Sequence, residues 1–150
     1  MERDDILRVL ALNCWGIKFL TPKRNERMDA IAKTLANSDY NIVALQEVWS
    51  PDNYETIRTH VKANLPYSQF YYGGAFGMGL AVFSKWPISE TSAFAYPLNG
   101  RPTAFWRGDW YVSKGIGQAR ILHPSGQIID VLVTHVCLAT LSVFIISNYC

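Results

Sequence analysis

Asn41-Ile42-Val43-Ala44-Leu45-Gln46-Glu47-Val48-Trp49 is the stretch around which the rest of the chain is organised. Four consecutive apolar residues, with β-branched Ile42 and Val43 among them, read as a buried strand rather than a helix turn. The run ends in Gln46 and Glu47, just ahead of Ser50-Pro51, a turn or helix-start signal. A carboxylate at the C-terminal end of a core strand sits where α/β sheets place their chemistry. It is poorly hydrated there and needs a cation, for which a hard ion such as Mg²⁺ is the natural partner. The plainer alternative is a strand-end glutamate hydrogen-bonded to a neighbouring loop.

Upstream, Ile6 to Leu12 clusters aliphatics as a strand does and ends at Asn13-Cys14-Trp15-Gly16, where the glycine permits a sharp turn. Asn13 therefore also lies at a strand end. Its amide is suited to a metal-bound water or a phosphate oxygen, and equally to an Asx-turn. From Asn25 to Ala36, Met28, Ile31, Ala32 and Leu35 fall at helical spacing, with Arg24, Arg27, Asp29 and Lys33 expected on the solvent side. Downstream, Ser50 reads as an N-cap with Pro51 at the first helical position, and the helix is expected to run to about Asn64. It buries Tyr54, Ile57, Val61 and Leu65, and leaves His60 structural or exposed.

Tyr67 to Tyr72 is strand-like, and Gly77 to Ile88 reads as a buried strand between turn signals. Its glycines form no phosphate loop, because no helix follows and no Walker lysine is present. Ser89 to Pro97 is a further strand. Asn99 to Gly117 is a long loop rich in Gly and Trp, a kind that is usually functional, and it carries Asp109 and Lys114. Those two residues read either as a surface ion pair or as a working pair. Gln118 to His123 and Gln127 to Thr134 make a hairpin around Pro124-Ser125-Gly126, and the second strand ends at His135. Strand–helix–strand–helix followed by consecutive strands fits half of an α/β sandwich.

At 150 residues the chain has the size of one domain, and 49% hydrophobic with 17% charged residues is the composition of a folded globule. A net charge of +2 is too small to imply nucleic-acid binding, so no nucleic-acid partner is expected. Cys14, Cys137 and Cys150 have no metal spacing, and their odd number points to a reducing, intracellular compartment. The charged start, Met1 to Asp5, lacks the apolar core of a signal peptide, and no run reaches the length of a membrane span.

The Leu45-Gln46-Glu47-Val48-Trp49 run, Asn13-Cys14-Trp15-Gly16, the Gly79 to Ile88 strand, the Arg107-Gly108-Asp109…Lys114-Gly115 segment and Thr134-His135 resemble, in the same order, motifs of the endonuclease/exonuclease/phosphatase superfamily. Within it the likeness is to neutral sphingomyelinases and the fungal inositol phosphosphingolipid phospholipases C. The resemblance implies the N-terminal half of a four-layer α/β sandwich of the deoxyribonuclease-like type. It also implies Mg²⁺-dependent hydrolysis of a sphingophospholipid at a membrane surface. Glu47 would bind the metal, Asn13 would stand beside it, His135 would contact the phosphate, and Asp109 with Lys114 would position substrate. A metal-dependent nuclease of the same superfamily and a non-catalytic remnant with a binding role are the alternatives.

The resemblance covers roughly residues 6 to 135, and the family's general base would lie in the absent half. Residues 1–135 are therefore expected to be a partial domain and 136–150 an aberrant apolar tail. Val136-Cys137 can be encoded by GTATGT, a common intron start, so a truncated transcript and an inactive chain are expected.

Overall fold

The computed structural model describes residues 6–17, 21–72, 78–96, 115–135 and 141–148. Within them the elements follow as β1 (Val9–Asn13), α1 (Arg24–Ala36), β2 (Ile42–Gln46), α2 (Pro51–Val61) and β3 (Tyr67–Tyr71). There follow β4 (Leu80–Ser84), β5 (Ile88–Ala95), β6 (Gly115–Leu122), β7 (Ile128–His135) and β8 (Leu141–Asn148). They build two four-stranded sheets, ordered β1-β2-β4-β3 and β5-β6-β7-β8. β1 and β2 are parallel, with α1 as their crossover, and every other pairing is antiparallel.

β2 and β4 are buried at every position because both of their faces are covered. Val43, Leu45, Ala81 and Phe83 join Met28, Leu35, Ile57 and Val61 of the two helices in one core. Ile42, Ala44, Leu80 and Val82 join Ala119, Ile121, Val131 and Val133 of the second sheet in another. A strand covered on both sides shows no alternation, so an unbroken aliphatic run is its signature. β6 alternates along its length because one of its faces is open. The layers are thus helices, sheet, sheet, an α/β arrangement as the sequence led one to expect. The far face of the second sheet leaves Phe94, Phe144 and Ile146 exposed.

Local chemistry sets the element ends. The Ser50 hydroxyl accepts from the Asn53 amide at 3.2 Å, and Pro51 opens α2. The helix stops at Val61, short of the expected Asn64, and Leu65 reaches the core from the turn that follows. The stretch read as one strand from Gly77 to Ile88 divides instead: β4 ends at Ser84 and Ile88 opens β5 in the other sheet. Buried Trp86 fills the corner between them. Residues 141–148 pair along β7, with Val143 opposite Val133 and Phe144 opposite Leu132. Among the described residues no helix is long and apolar enough to cross a membrane.

The open face of the second sheet carries a cross-strand row in which Arg120 lies between Glu90 and Asp130. Its guanidinium donates to both Asp130 oxygens, at 2.9 and 3.2 Å, and to Glu90 at 2.7 Å. The hydrogen bond from Arg120 holds the Asp130 carboxyl below its ordinary range, against an opposing effect of burial. A carboxyl depressed in the folded state adds stability above its unfolded pKa of about 3.9, and loses it as pH falls through the lower folded value. Asp130→Asn is therefore expected to be less stable than wild type at neutral pH, with the gap closing below about pH 4. Urea unfolding of both proteins across that range checks the sign; a gap independent of pH would count against the pair.

Candidate functional site

β1 and β2 end together because Asn13 is in register with Gln46. Their C-terminal ends present Asn13 from one strand and Gln46-Glu47 from the other. β7 lies in the second sheet, yet its last residue, His135, arrives at the same end. Asn13 Nδ2 donates to Glu47 Oε1 at 2.8 Å, and His135 Nε2 lies 3.4 Å from that oxygen. The turn reading of Asn13 is met, because its Oδ1 also accepts from the Trp15 amide at 2.9 Å. One end of the amide shapes the turn while the other reaches the carboxylate.

The backbone here is strained. Glu47 has φ 59 and Trp15 has φ 49, left-handed conformations that cost a non-glycine residue roughly 1–3 kcal/mol. Packing holds them in place. The Cys14 amide donates to the Gln46 carbonyl at 2.8 Å and the Val48 amide to the Gly79 carbonyl at 3.0 Å. Gly79 has φ +64, and a Cβ on it would lie 2.7 Å from the Trp49 ring. A Cβ on Gly16 would lie 2.1 Å from the Glu47 carbonyl oxygen. The two loops press on the segment that follows β2, Gly16 on Glu47 and Gly79 on Trp49. The Trp49 ring meets His135 edge-on, with centroids 6.1 Å apart.

Glu47 is 8% exposed. Burial pushes its carboxyl up, but hydrogen bonds from His135 and Asn13 outweigh this and leave it below the ordinary value. It is ionised at neutral pH. Cys14 goes the other way: burial first, then the Glu47 charge, push its thiol up to about 12. It remains a neutral thiol at neutral pH.

Among the described residues, Glu47 Oε2, both amide atoms of Gln46 and His135 Nδ1 are buried without a hydrogen-bond partner. A buried carboxylate oxygen lacking a donor is a natural position for a hard cation. Mg²⁺ takes one or two carboxylates and keeps several waters, so Glu47 with the Asn13 amide suits it as part of a ligand set. No cluster of three or more His, Cys, Asp or Glu side chains occurs among the described residues.

Three residues singled out in the sequence, Asn13, Glu47 and His135, thus come together. Asp109 and Lys114 lie outside the described residues. Their described flanks are at this end of the sheets: the Thr134 hydroxyl donates to the Gly115 carbonyl at 3.0 Å and bonds the Tyr96 hydroxyl at 2.8 Å. Gln46 escaped sequence reading, although the alternation Ile42, Ala44, Gln46 put a signal there by turning a polar side chain toward the second sheet. Arg27 was expected in solvent. Its guanidinium instead donates to the carbonyls of Cys14 at 3.2 Å, Trp15 at 2.7 Å and Pro22 at 3.3 Å. His60 belongs elsewhere: it bonds the Thr56 carbonyl and lies 3.7 Å from Asp29, tying α2 to α1.

The sequence profile described as the endonuclease/exonuclease/phosphatase family matches residues 10–140. An inositol phosphosphingolipids phospholipase C of Schizosaccharomyces pombe is 54% identical over 135 residues, which is 90% of this chain and 32% of that protein. Sphingomyelin phosphodiesterase 2 of Homo sapiens is 37% identical over 129 residues, 86% of this chain and 30% of that protein. The chain therefore spans about a third of the length of these curated relatives. Among solved structures, beta toxin of Staphylococcus aureus with bound magnesium ions superposes with a TM-score of 0.69 at 20% identity. That superposition covers 84% of this chain and 48% of the toxin, and it is a likeness of fold. With the profile covering both β2 and β7, the chain belongs to the endonuclease/exonuclease/phosphatase family, and its resemblance there is to the sphingomyelinases and inositol phosphosphingolipid phospholipases C.

Proposed function

We propose that this chain carries the metal-binding portion of a Mg²⁺-dependent phosphodiesterase acting on sphingophospholipids at a membrane surface, releasing ceramide and a phosphorylated headgroup. The observation that carries the reading is the buried, ionised Glu47 carboxylate. One of its oxygens is engaged by Asn13 and His135, and the other has no partner among the described residues. The proposed substrate class is supported by the relatives at 54% and 37% identity, named for inositol phosphosphingolipids and sphingomyelin.

In this reading Glu47 would hold Mg²⁺ with Asn13 beside it, and the ion would supply positive charge to the reacting phosphate. Asn13 keeps the carboxylate oriented, and the burial of Glu47 excludes competing water. His135 contacts the phosphate, where charge builds as phosphorus becomes five-coordinate. The attacking water must lose a proton to a base within hydrogen-bond reach. In this reading that base is not among residues 1–135, which are expected to bind Mg²⁺ without turning over lipid.

Asp109 and Lys114 position the substrate, supported by the arrival of their flanking residues, Tyr96 and Gly115, at the site end. Lys114→Ala in a chain completed to the relatives' length is expected to lower lipid turnover at least about tenfold while Mg²⁺ affinity stays as in wild type. Equal loss of both would assign Lys114 a structural role instead. The reading as a whole is tested by giving the completed chain sphingomyelin vesicles, inositol phosphorylceramide vesicles and an oligonucleotide, each with and without Mg²⁺. Mg²⁺-dependent cleavage of either lipid, with the oligonucleotide intact, is the expected result. Cleavage of the oligonucleotide alone would make the chain part of a nuclease.

A further inference from the structure

Arg27, the fourth residue of α1, touches neither Glu47 nor Asn13, yet three backbone carbonyls converge on it. Two of them, on Cys14 and Trp15, belong to the loop that leaves β1; the third, on Pro22, belongs to the turn that enters α1. The loop carbonyls need a donor because left-handed Trp15 turns the chain out of the β1 ladder. A guanidinium, with five donors in a planar fork, serves several carbonyls at once, which a lysine ammonium on a flexible stem does poorly. The same group lies over the Trp15 ring, with its carbon 5.1 Å from the centroid.

The contacts lead to the site in two steps. Arg27 holds Trp15, and the Trp15 amide donates to Asn13 Oδ1, which fixes the orientation in which Nδ2 faces Glu47. The next residue on the helix, buried Met28, presses on the loop from the other side: a Cβ on Gly16 would lie 2.7 Å from Met28 Cε. The first turns of α1 thus grip the whole Cys14–Gly16 segment.

We propose that Arg27 is a positioning residue of the metal site, setting Mg²⁺ affinity by holding the Asn13 loop in its strained conformation. This rests on the reading of Glu47 as the metal-holding residue with Asn13 beside it. Side chains that orient a metal ligand without touching the ion typically change affinity by about 10–100-fold when removed.

The test measures Mg²⁺ binding by calorimetry on residues 1–150 as wild type, Arg27→Gln, Arg27→Lys, Glu47→Gln and Lys33→Ala. Amide hydrogen exchange and urea unfolding accompany each protein. Arg27→Gln is expected to weaken Mg²⁺ binding about tenfold and to speed exchange at Trp15 and Gly16, with β2 and β7 still protected. Arg27→Lys is expected to keep the unfolding midpoint of wild type without recovering its affinity. Lys33→Ala, on the same helix, is expected to match wild type. If Arg27→Gln binds Mg²⁺ like wild type while Glu47→Gln does not, the inference is overturned and the metal-site reading stands. It is overturned equally if Arg27→Lys restores affinity in full, because charge alone then suffices. If wild type and Glu47→Gln bind Mg²⁺ alike, the metal-site reading itself fails and takes the inference with it.

Discussion

Glu47→Gln is expected to weaken Mg²⁺ binding by more than about a hundredfold, a larger loss than that of any residue acting on the site from outside. The substitution preserves size and the oxygen that accepts from Asn13 Nδ2. It replaces the other carboxylate oxygen by an NH2 group and so removes the charge. Stability in the absence of Mg²⁺ is expected to fall only slightly at neutral pH, because the hydrogen bonds from His135 and Asn13 favour the ionised carboxylate in the folded state over the opposing effect of burial. The two effects part clearly in a thermal melt. Wild type should melt at higher temperature as Mg²⁺ is added, because a ligand bound only by the folded state stabilises it, and the Gln variant should not respond. An unchanged Mg²⁺-dependent shift in the variant would remove Glu47 from the metal site.

Gly16→Ala is expected to be the most damaging single-methyl change in the described chain. The added Cβ would stand 2.1 Å from the Glu47 carbonyl oxygen, a backbone atom, and 2.7 Å from Met28 Cε, so the loop must move. Overpacking of this kind costs about 1–3 kcal/mol, and for a chain of this size each kcal/mol lowers the melting temperature by about 2–4 °C. Because the displaced loop carries Asn13, Mg²⁺ affinity should fall together with stability. That coupling separates Gly16 from Glu47, where the loss of affinity far outweighs the loss of stability. An Ala variant that melts and binds Mg²⁺ as wild type does would show that the loop has room to relax.

Much of this architecture was legible in local sequence. An aliphatic run without alternation announces a strand covered on both sides, and β2 is one. Ser50-Pro51 caps α2 because a hydroxyl acceptor and a fixed φ act within one helical turn. Pro124-Ser125-Gly126 closes the β6–β7 hairpin for similar reasons, with the Gly126 amide donating to the His123 carbonyl at 2.9 Å. The motifs at Asn13, Glu47 and His135 each ended a strand, and each could be picked out by the polar residue that breaks an apolar run. Less legible were Arg27, whose helical position alone pointed it toward solvent, and Gln46, whose burial depends on a second sheet lying over β2.

By itself the sequence determined the type of most segments and which polar residues stand at their ends, although it ran α2 on to Asn64 and joined β4 to the start of β5. Period, capping and turn chemistry act between residues a few positions apart, so they can be read in place. Only the tertiary structure decided that β4 and β5, separated by a three-residue corner, belong to different sheets, and that β7 brings His135 to within 3.4 Å of a carboxylate on the other sheet. It also decided that a long arginine side chain turns from solvent to grip the loop after β1. These depend on which surfaces meet when two apolar faces are buried together, and burial of apolar surface is non-directional. The run of residues requires that those faces find cover, and the assembled sheets decide what covers them.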